Sequence, residues 1–239
     1  MAGQRNRATF AGKSDDVIRC ALLVLCFVPM AAWAQSLYIE ELTSPEVKTA
    51  IAAGKTTAIY YAGSTEQNGA HLALGKHNFV ARHVAGRIAE TLGNALVYPV
   101  LPFAPTGEHM KFAGSVNVSP QTFAAVARDV ANSAVATGFK TVVLMGDHGG
   151  GQDELKAVAG ELNGRGGAWV IYVGDAYYKS TGEHAGVEDT SELLYLDRDG
   201  RWVRRETTVP GASAERGREL IEGKVKHAVA QIRLLTAKR

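Results

Sequence analysis

The stretch Thr57-Ala58-Ile59-Tyr60-Tyr61-Ala62-Gly63-Ser64-Thr65-Glu66-Gln67-Asn68-Gly69-Ala70-His71-Leu72-Ala73-Leu74-Gly75-Lys76-His77 decides the fold. Thr57 to Tyr61 is a short apolar and aromatic run closed by Ala62-Gly63, which reads as a buried strand. From His77 to Leu92 the apolar residues Val80, Val84, Ile88 and Leu92 recur at helical spacing, and Gly93 follows as a stop signal. The glycine-punctuated loop between them carries a carboxylate, an amide and two imidazoles. Loops of this kind carry chemistry when a rigid scaffold holds them.

The same alternation continues along the chain. Ala95 to Leu101 reads as a second strand stopped by Pro102 and Pro105. Ser119-Pro120 opens a helix with Ser as cap and Pro in the first turn, a stripe of Phe123, Val126, Val130 and Ala134, and Gly138 past its end. Lys140 to Met145 is a third strand, followed at once by Gly146-Asp147-His148-Gly149-Gly150-Gly151. Leu155, Val158 and Leu162 mark the next helix, and Ala168 to Val173 a fourth strand. Ser213 to Leu235 is a closing amphipathic helix with Leu220, Ile221, Val225, Ala228 and Ile232 inward. Leu196 to Arg205 reads as a charged surface hairpin with an Asp-Gly turn. Strands alternating with helices predict an α/β fold, a mostly parallel sheet with helices on both faces. Ligands then bind beyond the carboxyl ends of the strands. Glu66 and His148 both lie just past such ends.

The first 34 residues read differently. Arg5, Arg7, Lys13 and Arg19 form a basic flank, Ala21 to Ala32 is apolar, and Ala32-Trp33-Ala34 supplies a small-x-small cut site. This is the pattern of a secretory leader, with an uncleaved anchor as the alternative. The expected mature protein is a single domain from residue 35 to 239, periplasmic or secreted, without stable membrane association. Four of the 26 basic and two of the 24 acidic residues lie in the leader, leaving 22 of each. No electrostatic footprint for nucleic acid remains. Both cysteines, Cys20 and Cys26, also lie there. A mature chain without thiols suits an oxidising compartment, and any metal in it must be held by His, Asp or Glu. Apolar content of 46% and charged content of 21% over 239 residues are ordinary globular values.

Of the seven histidines, His83 and His227 lie within helices and read as surface residues. His71, His77, His109, His148 and His184 lie in or beside glycine-rich loops. For each alone, a hydrogen bond to a backbone carbonyl competes with metal ligation. Other catalytic patterns fail. There is no Gly-x-Ser-x-Gly elbow, no His-Glu-x-x-His helix and no dinucleotide fingerprint, and Gly54-Lys55-Thr56 lacks the upstream glycine and following helix of a phosphate loop.

Several ordered motifs resemble the creatininase (creatinine amidohydrolase) family. They are Gly63-Ser64-Thr65-Glu66-Gln67-Asn68-Gly69-Ala70-His71-Leu72, Gly107-Glu108-His109 with Phe112-Ala113-Gly114-Ser115, Gly138-Phe139, Gly146-Asp147-His148-Gly149-Gly150, and Glu183-His184-Ala185-Gly186 with Thr190-Ser191. The similarity runs from about Glu41 to Glu222. It implies a three-layer α/β fold, metal-dependent hydrolysis of a non-peptide C–N bond in a small, often cyclic amide, and a homo-oligomer, commonly a hexamer. The family's first metal site falls on Glu66, His77 and His148. Its second falls on Asn68 and on one of two later places, Gly150 or Val187, and the Asp that bridges the two ions has become His77. One divalent ion is therefore expected, zinc first, with manganese or iron as alternatives. The resemblance also implies acid/base roles for Glu183 and His184 jointly, with Glu188, Asp189 and Asp153 as substitutes, and a pocket lined by Asn68 and His109. Loss of the second ion leaves a competing possibility: a non-catalytic small-molecule-binding homologue on the same fold.

Overall fold

In the computed structural model, residues 36–174, 183–207 and 209–237 are described. The expected leader and its cut site lie outside them. Ten longer elements follow in chain order: α1 (Ser44–Ala52), β1 (Thr57–Ala62), α2 (Lys76–Leu92), β2 (Ala95–Val97), α3 (Pro120–Ala136), β3 (Thr141–Gly146), α4 (Gln152–Leu162), β4 (Trp169–Tyr172), α5 (Val187–Leu196) and α6 (Ala214–Thr236). The strands form one parallel sheet in the order β2-β1-β3-β4.

Every residue of β1 and β3 is buried, as expected of strands covered on both faces. Alternate side chains enter different cores. Ile59, Tyr61, Val143 and Met145 pack with α2 and α6, while Ala58, Tyr60, Val142 and Leu144 pack with α3 and α4. Helix, sheet and helix make the three layers. Among the described residues, no helix is long and apolar enough to cross a membrane.

Local sequence explains the element ends. Ser119 accepts from the Thr122 N–H at the start of α3, and Ser213 does the same for Arg216 at the start of α6. Gly93 ends α2 at φ +78°, the left-handed conformation that glycine adopts without a Cβ penalty. The α5–α6 crossing depends on Gly217, where a Cβ would lie 1.9 Å from the Ser191 carbonyl oxygen.

Three sequence expectations change. β2 is shorter than Ala95 to Leu101, and Leu101 makes only an isolated bridge to Ala62. The segment 196–205 is not a hairpin. Instead the buried Asp197 carboxylate accepts from the backbone N–H groups of Arg201, Trp202 and Val203, folding the chain around one side chain. Trp202 then stacks on Phe79 with ring centroids 4.0 Å apart. His83 is not a surface residue. It is half-buried, packs edge-on to Tyr195 and keeps Nε2 without a hydrogen-bond partner.

Because β2 and β3 flank β1 on opposite sides, the chain reverses direction across the sheet beside β1. At such a switch point the loops leaving the two central strands part and open a crevice. The β1–α2 and β3–α4 loops are those that carry Glu66 and His148.

Candidate metal centre

Glu66 is placed by a tightly pinned loop. Its N–H donates to the Leu74 carbonyl, Thr65 Oγ1 donates to the Pro102 carbonyl, and Asn78 Nδ2 donates to Thr65 Oγ1. Gly63 presses so closely on Asn78 that a Cβ there would meet its backbone at 2.9 Å. The loop therefore docks on the first turn of α2, bringing Glu66 beside His77.

The three expected ligands converge. His77 Nε2 lies 3.4 Å from Glu66 Oε1, and His148 Nε2 lies 2.9 Å from Glu66 Oε2. Donor atoms on Glu66, His77 and His148 lie within 4.8 Å of one another. Two donors on a tetrahedral zinc with bonds of about 2.0–2.1 Å stand roughly 3.3 Å apart. The Glu66–His77 spacing matches that edge. Both Glu66 Oε1 and His77 Nε2 are buried without a hydrogen-bond partner. A buried polar atom without a partner is costly, and a shared cation would satisfy both.

His77 is set up for ligation by its other nitrogen. Nδ1 lies 2.8 Å from Asp147 Oδ2 and 3.2 Å from Lys76 Nζ; the shorter contact is to a carboxylate that can only accept, which puts the proton on Nδ1 and the lone pair of the neutral ring on Nε2. Carboxylate–histidine pairs of this kind orient metal ligands. His148 differs. Its Nδ1 accepts from the Gly150 N–H at 3.0 Å, so its Nε2–H donates to Glu66. Ligation through Nε2 requires the proton to move to Nδ1 and the Gly150 bond to break.

Behind His77 lies a buried ionic cluster. Lys224 Nζ lies 3.1 Å from Asp147 and 2.9 Å from Glu192. Lys76 Nζ lies 2.6 Å from Asp189, whose other oxygen accepts from the Ala185 N–H. With Glu66, four carboxylates meet two ammoniums, leaving negative charge in excess when His77 is neutral even with Glu192 protonated. Burial disfavours charge on each carboxylate, yet His148 and His77 hold Glu66 well below the usual range, and Lys224 and His77 do so for Asp147. Glu192 is pushed up, mainly by burial. Burial and Lys76 disfavour the imidazolium of His77, but Asp147 and Glu66 outweigh them and raise its pKa. An acidic pocket with this surplus suits a dication.

A cavity of about 520 Å³ opens here, lined among others by His77, His109, His148, Glu183, His184 and Lys76. His184 Nε2–H donates to the Gln67 carbonyl at 2.8 Å, leaving the Nδ1 lone pair 3.9 Å from Glu66 Oε1. Glu183 is exposed at the rim. Asn68 is fully buried, donates to the Glu66 carbonyl and lies outside the cavity lining. Glu188 pairs with Arg216, and Asp153 is exposed on α4 away from the lining. His71 is buried against Thr190 Oγ1.

A family profile described as "Creatininase: Creatinine amidohydrolase" matches residues 40–232. The chain belongs to the creatininase family. A crystal structure of creatinine amidohydrolase (creatininase) superposes with a TM-score of 0.68 at 22% identity, covering 84% of this chain and 98% of that one. A structure named "Creatininase Mn" gives 0.67 at 23%, covering 83% and 98%. These likenesses establish the creatininase fold. Among curated proteins, the mycofactocin precursor peptide peptidase of Mycolicibacterium smegmatis is 33% identical over 145 residues, 57% of this chain and 56% of that protein. The protein of the same name from Mycobacterium tuberculosis H37Rv is 33% identical over 158 residues, 59% and 60%. The chain thus spans a little over half the length of the curated relatives it matches.

Within this creatininase-family fold, two of the places where the resemblance puts a second ion offer no side-chain ligand. Asn68 donates to the Glu66 carbonyl through Nδ2 while its Oδ1 is buried without a partner, and a Cβ on Gly150 would lie 1.9 Å from the Pro105 carbonyl oxygen. Val187 opens α5 with an apolar side chain.

Proposed function

We propose that this protein is a metal-dependent amidohydrolase in which Glu66, His77 and His148 hold one divalent ion. The observation that carries this reading is the pair of unpartnered buried atoms, Glu66 Oε1 and His77 Nε2, 3.4 Å apart. Two imidazoles and a carboxylate suit zinc best, and also iron or manganese. Such an ion supplies Lewis acidity, polarising a carbonyl and lowering the pKa of water to about 7.

The chain's own groups do the rest. The Gln67 carbonyl fixes His184 in the tautomer whose Nδ1 accepts a proton on the cavity side. Glu183 at the rim is the second proton-handling group, and His109 flanks the space a substrate would fill. Lys76 and Lys224 keep Asp147 ionised, which in turn keeps the His77 Nε2 lone pair facing the site.

The substrate class is an amide C–N bond. The family's name points to a small cyclic amide, and the curated relatives are named for a peptide. A cavity of about 520 Å³ admits a small amide or one end of a peptide. The leader-like first 34 residues support export, and the family resemblance supports a homo-oligomer.

The test is elemental analysis of the purified mature protein, followed by a hydrolysis screen of lactams, formamides and short peptides with Zn²⁺, Mn²⁺ or Fe²⁺ added separately. Turnover that needs about one ion per chain and vanishes in His148→Ala supports the enzyme. Bound metal with no turnover on any substrate supports the non-catalytic binding homologue. No bound metal refutes the metal centre.

A further inference from the structure

We propose that Glu66, His109 and His184 form a second divalent-cation site, sharing the Glu66 carboxylate with the first. The proposal rests on the metal-centre reading above, because Glu66 belongs to both. Its ligands are not those that the family resemblance assigns to a second ion, of which Gly150 and Val187 offer no ligating side chain here.

Three observations carry it. Donor atoms of Glu66, His109 and His184 all lie within 4.8 Å of one another. Glu66 is fully buried, and its Oε1 has no hydrogen-bond partner. The Nδ1 of His184, freed of its proton by the Nε2–H bond to Gln67, stands 3.9 Å from that oxygen. The His109 and His184 rings stack face to face, centroids 4.4 Å apart and planes 27° apart, so one ring must turn for both lone pairs to meet at one point. His109 makes no hydrogen bond through its ring among the described residues. Its nearest acidic neighbour is Glu108, 3.7 Å from Nε2 and exposed.

The spacing suits a cation better than a hydrogen bond. At 3.9 Å, His184 Nδ1 and Glu66 Oε1 are beyond hydrogen-bonding reach. They stand about half an ångström wider than two donors on a tetrahedral zinc, which are roughly 3.3 Å apart. His184 is partly exposed, with 37% of its side chain accessible. Glu66 Oε2 accepts from Ser64 Oγ and faces His148, so Oε1 is the oxygen that faces both His77 and His184 and would bridge the two ions. The ligand set is imidazole and carboxylate, so zinc, cobalt or manganese would enter and calcium would not. An ion here takes the lone pair that hydrolysis would use at His184, so the two uses exclude each other.

The test is a titration of chelator-stripped mature protein with Co²⁺, read by calorimetry, by visible absorption and by metal content after gel filtration. The wild type should show a tight and a weaker binding event with separate absorption changes. His109→Ala and His184→Ala should each lose the weaker event and keep the tight one. His148→Ala should lose the tight event. A single event in the wild type at saturating Co²⁺ overturns the second site and leaves the first intact. So does a weaker event that survives in both His109→Ala and His184→Ala. Failure to bind any Co²⁺ overturns the first site and this proposal together.

Discussion

Replacing Asp147 by Asn tests whether the metal centre is organised from behind. The Asp147 carboxylate accepts from His77 Nδ1 at 2.8 Å through one oxygen and pairs with Lys224 at 3.1 Å through the other. An Asn has the same shape but one acceptor and one donor. If its oxygen faces His77, its NH₂ meets the Lys224 ammonium, two donors face to face. If it flips, the NH₂ drives the His77 proton onto Nε2, the atom that must bind the ion. Outer-shell partners of metal-bound histidines are worth about 10–100-fold in affinity, or roughly 1.4–2.8 kcal/mol. A single charge-assisted hydrogen bond falls in the same range, about 1.5–3 kcal/mol. Zinc affinity of Asp147→Asn should therefore fall about 10–100-fold, measured by competition with a chromophoric chelator at a temperature where circular dichroism shows both proteins folded. Affinity within about twofold of the wild type, well below the range for an outer-shell partner, would refute the role given to Asp147.

Ion binding should also grow weaker as pH falls, because a proton competes for His77 Nε2. Asp147 and Glu66 raise the His77 pKa, so the loss should begin above the ordinary imidazole value of about 6.5. The metal-free protein should show the opposite sign: the His77 contribution to folding is full below about pH 6.5 and fades as pH climbs through the raised value. Chelator competition and thermal melts across pH check both, and a pH-independent affinity would contradict the first. Ligation by His148 Nε2 should free the Gly150 N–H from Nδ1, so the Gly150 amide resonance should move on zinc addition while the Ala62 and Val143 amides of the central strands stay nearly fixed. Gly217→Ala should force α5 and α6 apart, since its Cβ would sit 1.9 Å from the Ser191 carbonyl oxygen. Overpacking of this kind costs about 1–3 kcal/mol, or roughly 2–12 °C in Tm for a chain of this size. An unchanged melting curve would show that the crossing has slack.

The layered fold was legible because its strands are short apolar runs and its helices carry one apolar stripe each. Glu66 and His148 were legible because they follow strand ends, where a parallel sheet gathers loop residues regardless of sequence separation. The supporting cluster was not. Lys224 sits on the same inward stripe of α6 as Leu220, Ile221, Val225 and Ala228, and a lysine there is the signal that could have exposed it. Its carboxylate partners come from two distant segments, Asp147 after β3 and Glu192 in α5, so no spacing along the chain reveals the pairing. Asp197 misled in another way. An Asp-Gly sequence between charged residues suggests a hairpin turn, but here a single carboxylate gathers backbone donors that a second strand would otherwise have taken. His83 carries polar neighbours in sequence and still ends half-buried against Tyr195, because α5 covers that side of α2.

The contact between Gly150 and Pro105 has a historical consequence. A carboxylate introduced at position 150 by one base change would collide with a proline carbonyl before reaching any ion. A carboxylate ligand at this position would need the turn at Pro105 to be rebuilt first.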